Sequence, residues 1–128
     1  MLGDAELTTL VAVKDLDEAT AFYENTLGLT KAGENPGFVQ YRSGTGSVIV
    51  YESEFAGTNK ATTAAWHVDD LEATVRELKA RGVTFVRYDN LPDVTRDGDI
   101  HEAAGSFKLS WFKDPTGNLF EVNNGVPL

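Results

Sequence analysis

Glu121, His67 and His101 are the side chains of this 128-residue sequence best suited to acid–base or metal chemistry. Glu121 interrupts the short apolar run Leu119, Phe120, Val122. Strand alternation puts Leu119, Glu121 and Asn123 on one face and Phe120 and Val122 on the other. A carboxylate in that setting faces water, is held by a neighbour, or ligates a metal. His67 closes the segment Thr63–Val68, where the same alternation groups it with Thr63 and Ala65, away from Trp66 and Val68. A histidine there pairs with Glu121, binds a ligand or serves as a general base, or it is a hydrogen-bonded sheet histidine with no further role. His101 falls in a long polar stretch, where solvation is the expectation. Lys108 precedes the Glu121 segment and is placed either to neutralise Glu121 or to sit in solvent. Trp111, Phe112, Phe38, Tyr41 and Tyr51 are candidates for pocket walls or for core.

Other chemistries find no support in the sequence. There are no cysteines, hence no disulfides, thiolate metal sites or cysteine nucleophiles. The net charge of -9 repels a phosphate backbone or an anionic membrane and suits a neutral or cationic small molecule. The Gly44–Ser47 segment, GTGS, opens a strand rather than a helix, so it is not a nucleotide loop. No apolar run approaches the ~18 residues of a membrane span, and no basic-then-apolar leader opens the sequence, so the cytoplasm is the expected location.

The elements that must position these groups occur twice. Val13-x-Asp15-Leu16 returns as Val68-x-Asp70-Leu71, 55 residues later. A strand precedes each signature, Thr8–Val13 and Thr63–Val68, and a helix follows it. Leu16, Ala19, Phe22, Tyr23 and Leu27 share one helical face, as do Leu71, Val75 and Leu78. Asp15 with Glu18, and Asp69 with Glu72, read as capping boxes, and Gly28 and Gly82 as helix stops. Three strands follow each helix: Leu29–Ala32, Phe38–Arg42 and Val48–Glu52, then Val83–Tyr88, Phe107–Phe112 and Leu119–Asn123. The organisation is one domain of two βαβββ modules, residues 1–56 and 61–128. The second holds a polar loop at about 88–106, either a binding loop or a tolerated surface excursion.

With this duplication, the motifs VKDLDEATAFYENTLGL and WFKDPTGNLFEV resemble the vicinal oxygen chelate superfamily, which contains glyoxalases, extradiol dioxygenases and bleomycin-resistance proteins. The resemblance covers nearly the whole sequence. It implies an α+β fold of two tandem βαβββ modules forming a curved, partly open, barrel-like sheet, with a concave pocket and helices on the convex face. It also implies four metal-ligand positions, one on each first strand and one on each last strand. Matched residue by residue, these read Thr8, Val50, Thr63 and Glu121. Glu52, two residues beyond Val50, substitutes for it only if the register slips. One carboxylate does not hold a divalent ion selectively, and threonine is not a usual ligand. No metal or other cofactor is therefore expected.

The pocket implied is lined by Thr8, Leu10, Val50, Glu52, Thr63, His67, Lys108, Trp111 and Glu121. The expected function is metal-independent binding of a small organic molecule, cationic by the charge argument, in the manner of drug-sequestering resistance proteins. The alternative is a lyase, isomerase or dioxygenase with a rearranged metal or acid–base site built on Glu121 and His67. By the same resemblance the expected assembly is a homodimer.

Overall fold

The computed structural model describes residues 1–125, in an α+β arrangement of two mixed sheets, neither of them closed. The chain folds as two compact units. The first comprises Met1–Lys60 and Pro115–Asn118; the second comprises the rest, beginning at Ala61.

In the first unit β1 (Thr9–Val13) leads to α1 (Leu16–Ala21), whose last turns widen into a π-helical segment over Phe22–Thr26. The strands β2 (Thr30–Asn35), β3 (Phe38–Ser43) and β4 (Gly46–Glu52) follow. The sheet order is β1-β4-β3-β2, with β1 and β4 parallel and the other pairs antiparallel. Asp15 starts α1 as expected, its carboxylate accepting from the Glu18 N–H at 3.1 Å. Gly28 ends the helical stretch at φ 75°, a conformation that favours glycine. Val11, Val13, Val39, Tyr41, Val48 and Val50 are buried together with Ala19 and Tyr23 of the helical stretch. The opposite face carries Leu10, Ala12, Gln40, Ile49 and Tyr51, with Leu10 57% exposed.

The second unit opens with β5 (Thr62–His67) and α2 (Leu71–Ala80), continues through β6 (Phe85–Val86), β7 (Thr95–Asp97) and β8 (Ile100–Glu102), and ends with β9 (Lys108–Lys113) and β10 (Leu119–Asn123). The strand order is β5-β10-β9-β8-β7, with β6 pairing to β9. Asp70, not Asp69, caps α2, accepting from the Ala73 N–H at 3.0 Å. It is the residue 55 positions after Asp15, so the cap is duplicated with the signature. On the α2 side, Trp66, Phe85, Phe112 and Phe120 stack at centroid distances of 5.4–6.1 Å, among buried Leu71, Val75 and Leu78.

The polar loop is more ordered than its sequence suggests. Residues 95–102 form a hairpin, β7–β8, whose inner strand pairs with β9. Asp99 at its tip is 9% exposed and accepts from Lys79 at 2.7 Å and Arg87 at 2.9 Å. The Lys79 hydrogen bond, helped by Arg87, holds its carboxyl below the usual carboxylate range despite burial. The backbone carbonyl of Asp99 accepts from the buried Ser110 hydroxyl at 2.8 Å, which ties the tip to β9.

Candidate functional site

On the face of the second sheet turned away from α2, Glu121 lies opposite Ala65 on β5 and opposite Trp111 on β9, and Asn123 lies opposite His67. The carboxylate and the imidazole do not meet directly. Asn123, 1% exposed, stands between them: its Nδ2 donates to Glu121 Oε2 at 2.7 Å, and its Oδ1 contacts His67 Nδ1 at 2.5 Å. The Gly125 N–H also donates to Oδ1, at 3.0 Å. Alternation places Asn123 on this face without marking it as a partner; the available signal is its two-residue spacing from Glu121. His67 is exposed and Glu121 half-buried.

Trp111, on β9, is the partner of Glu121 across the ladder. Its ring meets Tyr88 edge-on at 5.0 Å and His101 at 4.7 Å. His101 is not solvated but fully buried, because β8 pairs with β9 and sets it opposite Leu109. Its Nε2 accepts from the Tyr88 N–H at 3.0 Å, so the ring proton sits on Nδ1, which has no partner among the described residues. Burial pushes the imidazole below its ordinary pKa and keeps it neutral. Tyr88 and His101 are not among the expected lining residues: Tyr88 closes the expected strand Val83–Tyr88, and nothing in the polar stretch after it signals the strand that carries His101.

Three expected lining residues lie elsewhere. Val50 is on the buried, α1-side face of its sheet, fully enclosed. Ile49 is the counterpart of Glu121, since Ile49 pairs with Leu10 as Glu121 pairs with Ala65, 55 residues on. Counting from the glycine fails because the spacing differs by one: Ile49 lies three residues after Gly46, and Glu121 four after Gly117. One extra residue reverses which side chains face which way. Glu52 shares the α1-side face, and its Oε1 accepts from the Leu16 N–H at 3.3 Å at the start of that helix. Lys108 points to α2, 3.5 Å from Glu72, and lines with Glu72, Thr95 and Glu102 a cleft of ≈ 210 Å³. It does not neutralise Glu121.

Of the remaining positions, Thr8 and Leu10 lie in the first unit, and Thr63, in the irregular step of the ladder, lies in the second. The family's ligand positions thus carry two hydroxyls, one hydrocarbon and one carboxylate. Among the described residues no three His, Asp or Glu side chains cluster closely enough to hold a metal ion. This donor set does not fit a divalent ion that takes imidazole and carboxylate ligands.

Residues 7–122 match the model of the Glyoxalase/Bleomycin resistance protein/Dioxygenase superfamily. Among solved structures, the bleomycin resistance determinant encoded on transposon Tn5 superposes with a TM-score of 0.71 at 18% identity, covering 95% of this chain and 98% of that one. TnmS3, an antibiotic binding protein from Streptomyces sp. CB03234, gives 0.69 at 22% identity, covering 96% and 97%. Lactoylglutathione lyase from Agrobacterium tumefaciens gives 0.68 at 20% identity, covering 94% and 92%. At these identities the likeness is one of fold. No curated protein sequence matches.

Proposed function

The chain belongs to the Glyoxalase/Bleomycin resistance protein/Dioxygenase superfamily, and from that premise we propose that it binds a small organic molecule without a metal. The observation that carries this reading is the donor set: Thr8, Ile49 and Thr63 stand at three of the four family ligand positions, and the Oε2 of Glu121, the fourth, is already bonded to Asn123. In support of this reading, the face of the second unit turned away from α2 sets an aromatic ring, Trp111, beside the polar groups of Glu121, Asn123 and His67. A net charge of -9 favours a cationic ligand, and the antibiotic-binding relatives by fold are in keeping with sequestration. A homodimer and a cytoplasmic location belong to the same proposal. Described helices include none long and apolar enough to cross a membrane.

Elemental analysis of protein purified without chelator tests it. The expected result is less than stoichiometric divalent metal, with thermal stability unchanged on adding zinc, nickel or manganese. Stoichiometric metal that disappears in Glu121→Gln would overturn it.

The chain of hydrogen bonds from Glu121 to His67 favours a second reading, an acid–base lyase or isomerase with His67 as the base. Its test is turnover: once a substrate is found, His67→Gln abolishes the reaction, and full activity in that variant rejects the reading.

A further inference from the structure

The orientation of the Asn123 amide is fixed from both ends. A backbone N–H can only donate, so Oδ1, which receives the Gly125 N–H, is the acceptor end. A carboxylate accepts, so Nδ2, against Glu121 Oε2, is the donor end. Nothing is left to choose at His67: its Nδ1, facing Oδ1, carries the proton whenever the ring is neutral. The Nε2 lone pair is then the free end of the chain, on an exposed side chain.

We propose that Glu121 and Asn123 are a tautomer lock, and that the Nε2 of His67 is the hydrogen-bond acceptor of a ligand site on this face. Two acceptors and an indole then share this face: Nε2, the remaining Glu121 oxygen, and Trp111 one strand over. No described cation pairs with Glu121, and Lys108 is turned to Glu72. Such a surface takes a ligand that donates, an aromatic or aliphatic O–H or N–H, and repels carboxylates and phosphates. Asn123 is a positioning residue here, acting through His67; Glu121 positions Asn123 with one oxygen and meets the ligand with the other. The inference deepens the binding function proposed above and rests on reading this face as the ligand face.

The test uses the full chain labelled with ¹⁵N-histidine and ¹⁵N-tryptophan, at mildly alkaline pH, with His101→Gln and Trp66→Phe assigning the side-chain resonances. The expected spectrum shows His67 protonated at Nδ1. Asn123→Leu shifts it toward the Nε2-protonated form that free imidazole side chains prefer. Phenol, added as a neutral donor probe, moves the Nε2 resonance; benzoate at the same concentration leaves it in place; in Asn123→Leu the response to phenol is lost. Nε2 protonation in the unaltered chain overturns the lock while the binding reading stands, and this measurement holds even if Asn123→Leu fails to fold. A phenol response at the Trp111 indole without one at Nε2 overturns the acceptor role alone. No response at either group overturns both the inference and the ligand face.

Discussion

Burial leaves the two histidines with opposite fates. His67 offers its lone pair to solvent, while His101 spends its own on the Tyr88 N–H. A base whose folded pKa is lowered binds its proton less readily folded than unfolded. Stability is therefore fully present above the ordinary imidazole value of 6.5 and is lost as pH falls below it toward the lowered value. Asp99 adds a second window: its lowered carboxyl contributes stability above 3.8 that is lost as pH falls further. Urea midpoints measured against pH should show both limbs, and His101→Gln should remove the upper one. An unchanged upper limb would place its origin elsewhere. Residue types alone say little here. The face of Glu121 is legible because alternation on short strands is reliable. Glu52 and Lys108 are misplaced by the sequence because each finds its partner on the helix side, the Leu16 N–H and Glu72, and charge gives no clue to direction.

Elements are more legible than faces. The repeated Val-x-Asp-Leu signature locates both helices and both first strands, since a capping aspartate and a helical apolar face leave a strong local pattern. The hairpin β7–β8 is not visible: its three-residue strands carry Thr95, Arg96, Asp97 and Glu102, and pairing with β9 organises them rather than any apolar rhythm. The parity of β4 is obscured for a different reason: β4 begins at Gly46 itself, whereas β10, used as its template, begins two residues after Gly117. This separates two adjacent residues experimentally. Val50→Ala, in the enclosed face, should cost about 2–3 kcal/mol in chemical denaturation. Ile49→Ala, on the other face, should cost less than half of that despite removing the larger side chain. Equal losses would return Val50 to the open face.

At the scale of the whole molecule, the two compact units do not share the bounds of the two sequence repeats. The turn Pro115–Asn118, between β9 and β10 in sequence, belongs to the first unit. There Asn118 Nδ2 donates to the Ala12 carbonyl at 2.8 Å, and Thr116 Oγ1 accepts from the Lys14 N–H at 3.1 Å. Such bonds link residues more than a hundred positions apart, and no local pattern reports them. Residues 1–60 expressed alone should lack a cooperative thermal transition under conditions where the entire chain stays folded; a sharp transition from that fragment would show the turn to be dispensable. A gene split at the repeat boundary would thus yield one product missing four residues of its own architecture. The duplication has become a shared inheritance: the later repeat carries part of the earlier one.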